Sequence, residues 1–219
     1  MIHQDESTRL STLALYQILD TSAEKAFDDL TRLAASICGT PTSLITFIDE
    51  DRNWIKASTG SDIKETPRDL AFCDHTIRQE GIMIVEDASL DPRFANNPLV
   101  LKDPSIRFYA GVPLTVSGGL NIGSLCVVDS KPRELNDQQI ASLGILCQAV
   151  VTQLELRRAM TEIKAMEKLL PMCAWCRRIK TDETEGNHWQ SLHEYLMTTP
   201  VTHGICPDCR IKVGAEDEP

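Results

Sequence analysis

Two Cys-x-x-Cys units near the carboxyl end constrain this chain more than any other feature of its sequence. They are Cys173-Ala-Trp-Cys176 and Cys206-Pro-Asp-Cys209, with 29 residues between them. Two intervening residues let a tight turn bring both sulfurs to one ion, and two such turns supply the four ligands of a tetrahedral metal site. About 40 residues cannot build an adequate core alone, so a bound metal would stabilise them. We therefore predict a four-cysteine metal-binding module over residues 171–213.

Three hypotheses account for these four cysteines. Four thiolates in two knuckles favour structural Zn²⁺, and the arginine that follows each pair would offset their negative charge. An iron–sulfur cluster also takes four cysteines, and the same proximity permits a dithiol–disulfide switch. His203 either replaces a cysteine, supports a ligand from the outer shell, or is a turn residue before Gly204. Between the pairs, apolar residues from Trp189 onward have helical spacing.

A long helical segment joins this module to the rest of the chain. From about Asn136 to Leu170 the apolar residues step by three and four, the spacing of a coiled-coil seam. Such a helix would be about 50 Å long. We predict a homodimer that uses this helix at Leu143, Val150 and Leu154, together with the first helix of the chain.

Upstream of the long helix, the elements come in the order helix, helix and then mostly antiparallel strands. Helices are predicted over 5–19, 23–38 and 70–79, and strands over 43–48, 54–58, 82–85, 107–116 and 121–129. This order indicates an α+β fold with one central antiparallel sheet and flanking helices, and not alternating βαβ units.

Charge and hydropathy limit the partners. The net charge is −10, whereas nucleic-acid affinity comes mainly from clustered Lys and Arg. A zinc-knuckle nucleic-acid binder is suggested by Arg177-Arg178-Ile179-Lys180, but residues 173–213 carry as many acids as bases. No wholly apolar run approaches the roughly 20 residues of a membrane span, and the polar, acidic start is unlike a signal peptide. We therefore expect a cytoplasmic protein that binds neither membrane nor nucleic acid.

Several motifs occur in one order along the first 130 residues. They are Phe27-Asp-Asp-Leu30, Phe47-Ile-Asp-Glu-Asp-Arg-Asn-Trp54, Pro67-Arg-Asp-Leu-Ala-Phe-Cys73, Asp87-Ala88, Asp91-Pro-Arg-Phe94, Arg107-Phe-Tyr-Ala-Gly-Val-Pro-Leu114 and Ile122-Gly-Ser-Leu-Cys126. In this order they resemble the GAF domains of bacterial signalling proteins. The resemblance covers about residues 5–160, with 161–170 as the end of the connecting helix. It implies a pocket on one face of the sheet that senses a small molecule or redox state, and helices that commonly dimerise. The cysteine tail resembles one that follows sensor domains in bacterial regulators.

The ligand-specific motifs of several GAF subfamilies are missing. Bilin-binding members carry a cysteine followed by histidine before the fifth strand, and the segment 96–105 has neither, so no bilin is expected. The Asn-Lys…Phe-Asp-Glu signature of cyclic-nucleotide-binding members is absent too. Free methionine sulfoxide reductases of this fold use a set of pocket cysteines that Cys38, Cys73 and Cys126 do not reproduce. An enzyme is therefore less favoured than a binding module.

Seven side chains are candidates for the ligand pocket. They are Phe47, Trp54, Phe72, Cys73, His75, Phe108 and Tyr109. The alternative is that the aromatic residues among them are ordinary core. Cys73, near His75 at a helix start, could be a reactive thiol with a lowered pKa; alternatively it is a small buried hydrophobe.

Two classes of function follow. The first is a signal-sensing or regulatory module that binds a small molecule or senses redox state, carries a structural zinc site and passes its signal to a partner signalling protein. It is favoured because the chain has no Walker loop, kinase motifs or GGDEF-type segment. The alternative is a thiol-based redox enzyme or sensor that uses Cys73 and the Cys-x-x-Cys pairs.

Overall fold

The computed structural model describes residues 5–167, 170–173, 179–181, 188–190 and 201–204, together with Cys209. The chain divides into two units, Met1–Arg158 and Ala159–Pro219. The helices are α1 (Glu6–Leu15), α2 (Lys25–Cys38), α3 (Phe72–Thr76), α4 (Pro98–Leu101) and α5 (Asp137–Glu167). The strands of the first unit are β1 (Thr42–Ile48), β2 (Arg52–Thr59), β3 (Glu65–Pro67), β4 (Met83–Val85), β5 (Phe108–Val116) and β6 (Leu120–Asp129).

The six strands form one antiparallel sheet in the order β3-β2-β1-β6-β5-β4. The predicted α+β fold with a central antiparallel sheet and flanking helices is confirmed. The first and last strands along the chain, β1 and β6, are neighbours in the middle of the sheet. Leu44 lies opposite Cys126, and Phe47 lies opposite Gly123. The short strand β3 was not predicted.

The helix ends follow local capping chemistry. The Asp5 carboxylate accepts a hydrogen bond from the Thr8 amide at 2.9 Å and caps α1. Gly39 ends α2 in a left-handed conformation with φ of 64°, which glycine adopts without a steric penalty. The helices α1, α2 and α5 contribute side chains to one core cluster with one face of the sheet.

Three predicted pocket residues lie in this helix-side cluster. Phe47, Trp54 and Phe108 are buried there with Leu143 and Val150 of α5. Alternation along β1 does put Phe47 on the same face as Ile45, but that face packs against the helices. The other face of the sheet carries a second cluster, which includes α3.

The predicted coiled-coil seam of α5 is part of the same core. Leu143, Val150 and Leu154 are fully buried in the first unit, so they cannot form a dimer contact while the domain is intact. The spacing of three and four is common to a coiled coil and to a helix that covers a sheet. Among the described residues, α5 from Asp137 to Lys164 has the length and mean hydropathy of a membrane span, and 33% of its apolar 18-residue window is buried.

The described strands of the second unit are β7 (Leu170–Cys173), β8 (Ile179–Thr181), β9 (His188–Gln190) and β10 (Val201–Gly204), in the order β10-β7-β8-β9. Parallel pairing of β10 with β7 places Gly204 opposite Cys173. His203 therefore lies in a strand and not in a turn, and Trp189 lies in a strand and not on a helix face. Cys209 is buried, whereas Cys176 and Cys206 lie outside the described residues.

Candidate ligand cavity

A cavity of about 250 Å³ lies on the face of the sheet opposite α2 and α5. Strands β1, β2, β3, β5 and β6, helices α3 and α4, and several connecting loops form its wall. The apolar lining residues are Leu44, Ile55, Ile63, Ala71, Phe72, Leu99, Ile106, Tyr109 and Val128. Exposed residues form the rim: Pro41, Gly60, Ile63 and Pro104. The cavity therefore connects the apolar second cluster with the surface.

The wall of the cavity carries little charge. None of the described residues that line it is a lysine, arginine or histidine. Its one carboxylate, Asp129, is bound by the guanidinium of Arg133 and accepts from the Lys131 amide at 3.0 Å. Because burying an unpaired anion is costly, the lining favours an uncharged ligand.

Asn53 is the one residue of the described wall with an orphaned buried polar atom. Its side chain is 4% exposed, and its Nδ2 donates to Thr66 Oγ1 at 3.2 Å. Its Oδ1 has no hydrogen-bond partner. A buried acceptor without a partner costs about 1–3 kcal/mol of stability. Asn53 is also among the residues that line the cavity.

Stacked rings form one side of the cavity. Phe72 stacks on Tyr109 at 5.2 Å between ring centroids and on Phe94 at 4.1 Å. His75 meets the ring of Phe94 edge-on at 4.8 Å. Burial lowers the pKa of His75 below its usual value. Half-buried behind Phe94, His75 does not line the cavity.

Two thiols face each other on the wall. The Sγ atoms of Cys73, on α3, and Cys126, on β6, are 3.9 Å apart, and both residues are buried. The hydroxyl of Tyr109 donates to Cys73 Sγ at 3.5 Å and also shares a hydrogen bond of 2.7 Å with Thr76. The hydrogen bond from Cys126, aided by hydroxyl groups around the sulfur, lowers the pKa of Cys73 to about 6. The same contact and burial raise the pKa of Cys126 well above its usual value.

The remaining described cysteines of the first unit, unlike Cys73, have raised pKa values. Burial raises the pKa of Cys38 to about 11 and that of Cys147 to about 12. Both belong to the helix-side cluster. Of the described thiols of this unit, Cys73 is therefore the one whose surroundings favour the thiolate, the nucleophilic form of cysteine.

The structure brings together three of the seven predicted pocket residues. Phe72, Cys73 and Tyr109 line the cavity, and the other four lie elsewhere. The ligand site itself stays a prediction. Sequence analysis missed Asn53, which lies between the strands predicted over 43–48 and 54–58, and did not assign Cys126 to the pocket. The alternation of Cys126 with Leu125 and Val127 along β6 was the available signal for Cys126.

Comparison with known proteins gives the family. A family model described as the GAF domain matches residues 22–154. The chain belongs to the GAF domain family. Its first unit is therefore a GAF sensor domain of the bacterial signalling type, as the sequence motifs indicate.

Individual relatives share this domain. A cyclic di-GMP phosphodiesterase of Pseudomonas aeruginosa is 40% identical over 157 residues, which are 71% of this chain and 27% of the relative. The chain thus spans about a quarter of that relative's length. A free methionine-R-sulfoxide reductase from Neisseria meningitidis, solved with its substrate, has a TM-score of 0.52 at 16% identity and covers 73% of this chain and 96% of its own. A domain assigned to a two-component sensor histidine kinase from Sinorhizobium meliloti 1021 has a TM-score of 0.51 at 12% identity, covering 66% and 99%. At these identities the two structures show a common fold alone.

Proposed function

We propose that this chain is a sensor module whose cavity binds a small, uncharged, largely apolar molecule with one N–H or O–H donor. The unpartnered Oδ1 of Asn53 in the wall of the cavity carries this proposal. A native protein retains few buried polar atoms without partners, and a ligand that donates to this oxygen removes its cost.

The size and charge of the cavity narrow the ligand class. A cavity of about 150 Å³ suffices for benzene, so about 250 Å³ suits a molecule of one or two rings. Phosphate-bearing ligands are disfavoured, because no cationic side chain lies on the described wall. The cyclic dinucleotide named for the Pseudomonas relative is larger than this cavity and carries two phosphates. We therefore propose that it is not the molecule sensed here.

Strand β6 connects the cavity with the helices. Cys126 and Val128 line the cavity, whereas their neighbours Leu125 and Val127 pack in the helix-side cluster. On that side Arg157 of α5 donates to the Tyr16 carbonyl at 3.0 Å, and the Tyr16 hydroxyl donates to Glu155 at 2.6 Å. A ligand that shifts β6 thus acts on the packing of α5, through which we propose that the signal reaches a partner signalling protein.

Indole and indene test the proposed hydrogen bond. They have nearly the same shape, but only indole has an N–H donor. Loss of one hydrogen bond to a buried group is worth about 1–2 kcal/mol, so indole should bind the full chain roughly 5–30-fold more tightly than indene. In the Asn53→Leu variant, the two dissociation constants should converge. Equal affinities in the unmodified protein, measured by titration calorimetry, would contradict the proposed role of Asn53.

A homodimer is proposed through a different surface from the buried seam. Several apolar side chains of α1, α2 and α5 in the first unit are exposed: Leu15, Leu33, Ile145 and Leu156. Burying them against a second copy would remove apolar area from water. Light scattering at tens of micromolar should give the mass of a dimer, and Ile145→Glu should shift it towards the monomer. A monomeric unmodified chain would contradict this proposal.

The four-cysteine module is proposed to hold structural Zn²⁺ through Cys173, Cys176, Cys206 and Cys209. Its support is the ligand spacing, together with the register that places Gly204, two residues before Cys206, beside Cys173. No group of three or more metal-binding side chains occurs among the described residues. Elemental analysis of protein purified without added metal should find about one zinc per chain. Stoichiometric iron would support the iron–sulfur alternative, and metal-free protein the redox one.

A further inference from the structure

Two groups with no assigned role meet at one point of the cavity wall. Cys73 and Cys126 are 53 residues apart in sequence, yet a hydrogen bond of 3.9 Å joins their sulfurs. Each is flanked by a strand or helix that fixes its position, Cys73 by α3 and Cys126 by the centre of the sheet. Both also line the cavity, where Cys73 is 4% exposed and Cys126 is fully buried.

We propose that Cys73 and Cys126 form an oxidisable dithiol that reacts with small hydroperoxides entering the cavity. Cys73 is the attacking sulfur and Cys126 the resolving sulfur. This modification site does not rest on the proposed hydrogen bond to Asn53, because Asn53 donates to Thr66 and the two thiols contact each other.

The surroundings of the two sulfurs assign these roles. The hydrogen bond from Cys126 and the hydroxyl of Tyr109 both stabilise a negative charge on Cys73. The pKa of Cys73 is accordingly lowered, which favours a thiolate on Cys73 over one on Cys126. Cys126 keeps its proton, because burial and the adjacent thiolate raise its pKa. The thiolate is the nucleophile in such reactions.

The reaction balances in two steps. The Cys73 thiolate attacks one peroxide oxygen, the O–O bond breaks, and the leaving alkoxide takes a proton and departs as an alcohol, or as water from hydrogen peroxide. Cys73 is then a sulfenic acid. Cys126 Sγ attacks the Cys73 sulfur, an S–S bond forms, the S–O bond breaks, and the hydroxide leaves with the Cys126 proton as water. Two thiols are oxidised by two electrons, and one hydroperoxide is reduced.

Formation of the disulfide changes the wall of the cavity. The separation of the sulfurs must fall from 3.9 Å to about 2.05 Å. Because Cys126 lies in the centre of the sheet, most of this movement falls on the short helix α3. Oxidation thus draws the Cys73 side of the cavity towards the sheet.

The full chain treated with hydrogen peroxide tests the proposal. Remaining thiols are alkylated under denaturing conditions and mapped by peptide mass spectrometry. Cys73 and Cys126 should be lost together into one cross-linked peptide pair, at least about 100-fold faster than Cys38 and Cys147. Equal rates for all four, or disulfides that join either residue to another cysteine instead, would overturn the proposal.

Two variants separate the roles. In Cys126→Ser, Cys73 should stop at the sulfenic acid and be trapped by dimedone, whereas in Cys73→Ser the thiol of Cys126 should persist. Cys147→Ser is the matched control, since it removes a buried thiol from the other face of the sheet and should leave the rate of the pair unchanged. Loss of the Cys126 thiol at the unmodified rate in Cys73→Ser would refute the assigned order. If a serine variant fails to fold, the oxidation rates of the four cysteines in the unmodified chain still test the proposal.

Discussion

Replacing Asn53 with leucine should leave the unliganded protein as stable as before or make it more stable. The two side chains have nearly the same shape, and leucine has no polar atom. The substitution removes the unpartnered Oδ1, which costs about 1–3 kcal/mol, and loses the Thr66 hydrogen bond, worth about 0.5–1.5 kcal/mol. We therefore expect the free energy of unfolding to rise by about 1 kcal/mol.

Asn121→Leu is the matched control. Asn121 is equally buried, but its Nδ2 donates to the carbonyls of Ile77 and Gln79 at 2.9 and 3.2 Å, and its Oδ1 accepts from Thr115 at 2.7 Å. Leucine there leaves these groups without their partner, so the same substitution should cost at least about 2 kcal/mol.

Urea denaturation of both variants, followed by circular dichroism, measures the two free energies. Opposite signs are the expected result, and Asn53→Leu should at the same time weaken the binding of indole. The reasoning is refuted if Asn53→Leu destabilises the protein by more than about 1 kcal/mol, because Oδ1 would then have a stabilising partner.

Two further predictions concern stability. The hydrogen bond from Arg9, opposed by burial and supported by Arg68, lowers the pKa of Glu6 from 4.5 to about 2. The stabilisation that ionised Glu6 gives the folded state is therefore complete above about pH 4.5 and is lost as the pH falls towards 2. The melting temperature of Glu6→Gln should depend less on pH over this range than that of the unmodified protein. The same pH dependence in both proteins would contradict the assignment. A Cβ at Gly123 would lie 2.0 Å from the Thr46 carbonyl oxygen, so Gly123→Ala should cost about 2–3 kcal/mol. Gly144→Ala, on the exposed side of α5 with no atom within 4 Å, should instead gain about 0.5–1 kcal/mol. Equal melting temperatures for the two glycine variants would count against the close packing of β1 on β6.

Most elements of the first unit could be predicted because their signals are local. The apolar faces of α2 and α5 and the strands β1, β2, β5 and β6 are visible in short windows of sequence. The face of the sheet that each side chain occupies was harder to predict. Alternation shows that Ile45 and Phe47 point the same way, but it does not show which face the helices cover. The apolar seam of α5 was ambiguous for a similar reason, because its spacing is compatible with packing against a sheet and with packing against a second helix.

The residues of the site are far apart in sequence, so no short window of the sequence shows that they meet. Cys73 and Cys126 meet only because α3 packs on the sheet beside β6. Asn53 was missed because β2 begins at Arg52, two residues before the strand predicted over 54–58. Its missing partner is a property of the packed wall and has no sequence signal.

The most direct test of the proposed function is where indole binds in the full chain. Isotope-edited NMR can measure nuclear Overhauser effects between the bound indole protons and methyl groups. Binding in the cavity predicts contacts with Leu44, Ile55 and Val128, and loss of affinity in Asn53→Leu. Contacts with the methyl groups of Leu143 and Val150 in the helix-side core, or none at saturating indole, would contradict it.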